Sequence, residues 1–442
     1  MKAESGFIEA AIGREAPDSP MWAQDIRESG RKLWRAQSFP TRKTEAWKYL
    51  SLRALERGDY TSTPATPPSL DTDALRSIVE IEGLDACRLV FVNGTFVAEL
   101  SDGDVPDGVT LVRFSEAGDE EAKTISSHLG SVVDKDRHLF AALNDSWLGD
   151  GVFLRIEANA DVERPIQLVW LTQPDTDAFS ISQRLMVVAG DGSRARIIEH
   201  FVSTGDEQNA FTNGITEIDI GANAQLDHYR LHLEESHALH IGGVHARLAR
   251  DSGFRSFHLG MGSTLKRIDA VVHHAGEGAH CEMNGIYLPR GSEQVDYHTT
   301  IEHAVANCTT NETFRGIVAD KAKAVFNGRI HIHPKAQKSN AQLSNKNLLT
   351  SASAEVDTKP ELEIYADDVQ CAHGATVSQL EEESLYYFLS RGIDREEAQV
   401  MLSFGFINEL VGRVDLQPLT DYLRDKLSSL FSGSGDLVRR ME

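Results

Sequence analysis

Cys371-Ala372-His373 is the most chemically suggestive spacing in the sequence. On an extended backbone residues i and i+2 share a face, so a thiolate and an imidazole placed this way could reach one soft or borderline metal, such as iron or zinc. Two ligands do not close a site. The pair therefore suits transient binding or a site completed by a partner, and the competing assignment is a buried structural cysteine beside a surface histidine. Asp367 and Asp368 add carboxylates nearby, although their default role is a turn. His331 and His333 share the same ligand-competent spacing. A cupin-type oxygenase would carry a glutamate a few residues later, and HIHPKAQKSN has none, so the two histidines are assigned to the solvated face of a half-buried strand. His273 and His274 are adjacent, hence on opposite strand faces, and receive a structural role. The sequence contains no phosphate loop, no nucleophile elbow and no His-Glu-x-x-His zinc helix, so any nucleotide energy must come from another chain. The four cysteines, Cys87, Cys281, Cys308 and Cys371, form no Cys-x-x-Cys pair and indicate neither a disulfide framework nor a self-contained cysteine zinc site.

These residues lie in or beside a run from Gly151 to Val377 made of short period-two segments separated by Gly, Asp and Asn. In LDHYRLHL, residues 226–233, Tyr229, Leu231 and Leu233 point one way while His228, Arg230 and His232 point the other. In GRIHIH, residues 328–333, Ile330 and Ile332 alternate with Arg329, His331 and His333. Both read as half-buried strands, and the absence of a long amphipathic helix argues against a doubly wound α/β sheet. Turn-then-strand phrases starting at Asp191, Gly221, Ser252, Gly276 and Asp320 recur roughly every 25 to 30 residues, as in a solenoid. A sandwich or barrel shares the alternation, but the number of phrases in one unbroken run favours a β-helix.

The flanks read as helical. Apolar spacing between Met21 and Leu55 predicts two helices broken at Pro40 and Thr41. TSTPATPPSLDTD, residues 61–73, reads as an exposed linker, and CRLVFVNGTFVAEL, residues 87–100, as a hairpin turning at Asn93-Gly94. Beyond Ser378 helices return: one ends at Gly392, Asp394 caps the next with Glu397 three residues on, and Leu419, Tyr422, Leu423, Leu427 and Leu430 form a stripe after Pro418. The tail SGSGDLVRRME is expected to be loose. The expected division is 1–120, an N-terminal helical region with linker and hairpin; 121–377, a β-helix core; and 378–442, a C-terminal helical domain.

In 442 residues, 44 Lys and Arg oppose 67 Asp and Glu, a net charge of −23. This balance argues against a nucleic-acid or anionic-membrane binder. With no apolar stretch near the roughly 18 residues of a spanning helix and no secretory core at the start, the expected location is cytoplasmic.

Residues 326–402, from FNGRIHIH through YADDVQCAHGATV to AQVML, closely resemble the shared C-terminal region of the SufB/SufD family, scaffold proteins of iron–sulfur cluster assembly. TRKTEAWKYLSL, residues 41–52, and LVFVNGTFVAELSD, residues 89–102, resemble its SufD branch, and Gly374 stands where the SufB branch usually carries a glutamate after Cys-x-His. The resemblance implies a mainly β fold: a right-handed parallel β-helix core flanked by N-terminal and C-terminal helical regions. It implies a cytoplasmic complex with SufB, paired through the two β-helices, and with the ATPase SufC, met by the C-terminal helices. It places His373 at the SufB–SufD interface with Cys371 as the neighbouring thiol, both candidate ligands of transient iron or a nascent iron–sulfur cluster, the histidine being favoured as essential. Association of the assembled complex with reduced flavin is also implied, though no flavin motif is readable. The expected function is a non-catalytic assembly subunit supporting iron acquisition and nascent cluster formation. The alternatives are a stand-alone metal-dependent or glycan-active β-helix enzyme, and a SufB-like primary scaffold.

Overall fold

The computed structural model describes residues 6–14, 19–60, 71–175, 177–205, 208–234 and 237–431. Most of the linker and the whole tail after Phe431 lie outside the described residues; of the linker, Asp71 is seen capping the helix Thr72–Val79, accepting from the Ala74 amide at 3.2 Å.

The recurring turn residues set the repeat. Gly192, Asn223, Asp251, Gly278, Asn307 and Lys338 all have positive φ, and each stands two residues before a strand. Gly, Asn and Asp tolerate this left-handed conformation best, so the Gly/Asn/Asp phrases mark where the chain swings into the next coil. Lys338 is the exception; its amide donates to the Asp368 carbonyl one coil on. His280 pairs with Thr309, Thr309 with Asn340, and Asn340 with Gln370, a coil of about thirty residues.

Successive strands alternate between two sheets. One has ten strands, from Gln370–Gln379 at one edge to Cys87–Val92 and Thr95–Phe96 at the other; the second has nine, from Glu355–Ile364 to Val109–Arg113. Pairing along both is parallel apart from the short strands at the N-terminal end. The result is a β-solenoid of about seven turns flanked by helices. Its interior is a continuous cluster that includes Phe254, Met283, Phe314, Phe326, Ile330 and Ile332. The helices cover the outer faces. N-terminal residues Trp34, Leu50 and Leu55 pack with Phe140 and Trp147 against Phe211, Ile241 and Leu265 of the nine-stranded sheet. C-terminal Ile407, Leu410, Leu419 and Leu423 pack against Leu231, Phe257, Leu259 and Ile286 of the ten-stranded sheet.

The hairpin forms as expected. Asn93 and Gly94 have φ of 48° and 84°, as a primed turn requires, and Phe91 opposes Phe96. Its return strand is two residues long, and Cys87–Val92 is taken up in parallel beside Ile166–Thr172. The second expected N-terminal helix is reduced to a single turn at Glu45–Trp47 and the short helix Arg53–Arg57. Tertiary contacts override its apolar spacing: Arg267 donates to the Ala46 carbonyl at 2.6 Å and stacks over the Trp47 ring at 4.4 Å.

The strand Gln225–His232 corrects the half-buried expectation, because both its faces are buried. Tyr229 and Leu231 face the C-terminal helices, whereas His228, Arg230 and His232 are wholly enclosed. The enclosed charges are paired: Glu199 accepts from His228 at 2.9 Å, from Thr216 at 2.7 Å and from Arg230. Burial lowers the pKa of His232, His240, His245, His258, His274, His200 (to about 3) and His303 (to about 4). The unfolded chain protonates these seven histidines near pH 6.5 and the native state does not, so stability is complete above that pH and falls as pH drops toward about 4. Glu312, pushed up to about 7 by burial, acts in the opposite sense but is one group against seven. A histidine whose native pKa lies well below its unfolded value contributes a loss approaching about 1.4 kcal/mol per pH unit between the two values. The urea midpoint is expected to fall steeply from pH 7 to pH 5; a midpoint flat across that range would contradict the enclosed-imidazole account.

Candidate functional site

The solenoid ends in two ten-residue edge strands, Glu355–Ile364 and Gln370–Gln379, each bonded to a neighbour on one side only. Such edges present a row of unpaired backbone donors and acceptors, a template for another chain. Among the described residues no helix covers them: the C-terminal helices lie on the flank of the ten-stranded sheet instead of capping the open end. Ile364, Tyr365 and Val377 are exposed large apolar side chains along these edges.

Cys371 and His373 sit on the second edge strand, and its register shows which way they face. Cys371 pairs with Ala341 and His373 with Leu343, both buried members of the interior cluster. Behind Leu343 the same column continues inward through Glu312 and Met283. Cys371 and His373 thus belong to the solenoid's inward face, and they meet solvent only because no further coil follows. The half-buried Cys371 packs against the interior cluster, and burial pushes its thiol pKa up, with the Ala341 amide working against that rise. His373 is exposed and has no hydrogen bond or ion pair among the described residues. A protonated thiol and a free imidazole on one face are donors that a metal can recruit by displacing the thiol proton. Among the described residues no third His, Cys, Asp or Glu donor joins them in a cluster, so the set stays open to a partner's ligands.

Two three-donor clusters do occur among the described residues, and each contains a residue from another strand. His232 and His240 converge on Glu234 inside the solenoid, and His331 and His333 converge on Glu302 outside it. Neither was visible as a triad in the sequence. Glu302 lies one coil earlier, directly opposite His331 in the strand register, so a search for a glutamate downstream of the histidines misses it.

Fold and site together define a β-solenoid with an open end, on which a thiol and an imidazole share one face. The chain belongs to the SufB/SufD family of SUF iron–sulfur cluster assembly proteins: residues 171–406 match the SufBD core domain and residues 15–168 the SufBD N-terminal region. It is 31% identical to the iron–sulfur cluster assembly protein SufD of Escherichia coli over 422 residues, covering 95% of this chain and 92% of that one. It is 31% identical to a SufBD family protein of Synechocystis over 410 residues, 91% of this chain and 90% of that one. It is 26% identical to SufD of Bacillus subtilis over 412 residues, 91% and 92% of the two chains. Among the described residues no helix is long and apolar enough to cross a membrane.

Proposed function

We propose that this chain is the SufD-type, non-catalytic subunit of a cytoplasmic SUF assembly complex. It pairs with SufB through the open end of the solenoid and with the ATPase SufC through the C-terminal helices. At the first contact it supports iron acquisition and nascent cluster formation, with His373 and Cys371 as its candidate ligands and iron or the growing cluster as cargo. The observation that carries this reading is the position of His373: an imidazole unpartnered among the described residues, on the inward face of the solenoid's last coil, in one of two edge strands that are each bonded on one side only. A partner solenoid meeting those edges would enclose the pair and raise the affinity of an otherwise exposed two-donor site. The implied division of labour leaves ATP hydrolysis to SufC, and no residues of this chain are assigned to a flavin.

A tagged chain recovered from its native cytosol is expected to bring down one solenoid partner and one ATPase together, and the purified chain alone is expected to show no steady ATP turnover. Recovery of the chain without partners, or turnover by it alone, would overturn the reading.

A further inference from the structure

The outer face of the nine-stranded sheet carries a second donor set. In the strands Gln294–His303 and Lys323–Ile332, Glu302 stands directly opposite His331, and His333 follows two residues later, just beyond the strand's end. His333 Nε2 lies 3.4 Å from Glu302 Oε2, and His331 Nδ1 lies 3.9 Å from Glu302 Oε1. The two imidazole rings are stacked, with centroids 4.1 Å apart and planes inclined by 25°. One donor atom from each of the three residues lies within 4.8 Å of the others. Donors bound to one ion at about 2.1 Å sit roughly 3.4 Å apart in tetrahedral geometry, so one pair already has the required spacing and small side-chain rotations bring in the third.

We propose that Glu302, His331 and His333 form a binding site for a divalent first-row transition ion, separate from the open end. Two imidazoles and one carboxylate are a borderline donor set, suited to Zn²⁺, Co²⁺ or Fe²⁺ rather than to Mg²⁺ or Ca²⁺, which take oxygen ligands. Three protein ligands leave a position for water, and the half-exposed His333 gives the ion access. Glu302 also lines the rim of a cleft of about 570 Å³ between the N-terminal region and this sheet.

The charges facing the site do not forbid a cation. Arg329 contacts Glu302 at 3.5 Å and His331 at 3.2 Å, but its guanidinium is held by Glu363 through bonds of 2.8 and 2.9 Å. Arg137 contacts Glu302 at 3.3 Å and also lies 3.5 Å from Asp134. Three carboxylates thus face two guanidiniums. The buried cluster of His232, Glu234 and His240 lacks these properties. Lys266 is 3.0 Å from Glu234 and supplies the countercharge, and all four side chains are sealed from solvent.

The assignment does not rest on the reading of the open end. Titration of the full-length chain with Co²⁺ is expected to show one equivalent bound, with visible d–d bands. Glu302→Gln and the double change His331→Ala with His333→Ala are each expected to weaken binding by at least about 100-fold, and His333→Ala alone by at least about tenfold. His373→Ala is expected to leave the titration unchanged. Arg137→Ala removes an exposed competitor for Glu302 and is expected to tighten binding about two- to fivefold, a gain that a purely structural ion-pair network would not produce. Circular dichroism and the melting midpoint check that each variant is folded; His333 is the most exposed donor, so its single variant gives a reading even if the double variant misfolds. No uptake of Co²⁺ by the unaltered chain, or uptake unchanged in a folded His333→Ala chain, would overturn the proposal.

Discussion

His373→Ala is expected to abolish cluster formation by the assembled complex while leaving the chain folded and the complex intact. The fold should not respond, because the imidazole is exposed and makes no hydrogen bond or ion pair among the described residues. Assembly should not respond either: pairing through two edge strands rests on a row of backbone groups, and one truncated side chain among them changes little. On the proposed reading, what the substitution removes is one of the two candidate metal donors that share a face at the open end among the described residues. Cys371→Ser is expected to be milder, since the half-buried thiol must lose a proton that burial helps to retain, and a partner's thiol can replace its soft ligation. The measurement is cluster absorbance after anaerobic reconstitution of the complex, alongside gel filtration of the same sample. A normal cluster yield with His373→Ala would remove this residue from the mechanism. Loss of the complex itself would show that the side chain acts in docking.

Legibility in the sequence followed the physics of each element. The turn at Asn93-Gly94 was readable because few residue pairs accept two consecutive positive φ values. The solenoid repeat was readable for the same reason, through Asn223, Asp251, Gly278 and Asn307. Ile330 and Ile332 were correctly separated from Arg329, His331 and His333, because one face of that strand is apolar and enclosed while the other meets water. In the strand Gln225–His232 the same alternation gave the wrong picture. Its apolar residues meet helices from a distant part of the chain, and His228 and Arg230 are enclosed against Glu199 of another coil. Period two reports that two faces differ, not that one of them is wet. The Glu302 cluster was hidden for a related reason: the coil length brings residues about thirty positions apart into register, beyond the reach of any local motif.

The other large effect is expected at the C-terminal helices, where the structure changes which experiment is informative. Deleting residues from Asp394 onward is the direct way to remove a SufC docking element from the C-terminal helices. That segment, however, carries Phe404, Ile407, Leu410, Leu419, Leu423 and Leu427, which cover Leu231, Phe257, Leu259 and Ile286 on the solenoid's flank. Uncovering such side chains costs about 1.5–3 kcal/mol for each fully buried one, so the deletion would unfold or aggregate the chain before it reported on docking. The preceding helix, Glu382–Leu389, is different. Only Leu385 is buried, whereas Tyr386 is 71% and Tyr387 54% exposed, with Leu389 also outside. Exposed paired tyrosines supply large rigid contact area at low entropic cost, the usual make-up of a binding hot spot. The double change Tyr386→Ser with Tyr387→Ser is therefore expected to weaken SufC binding by at least about 30-fold, corresponding to roughly 2 kcal/mol or more at a hot spot. SufB pairing and the melting midpoint should stay within error, because Tyr386 faces solvent and Tyr387 gives up surface contacts alone: its edge-on packing with the Phe388 ring and the Arg391 guanidinium 3.5 Å above its own ring. Surface binding measurements with each partner separately would decide. Undiminished SufC binding would move the docking site off this helix, and joint loss of both partners would mean that the helix supports the edge strand it follows directly in the chain.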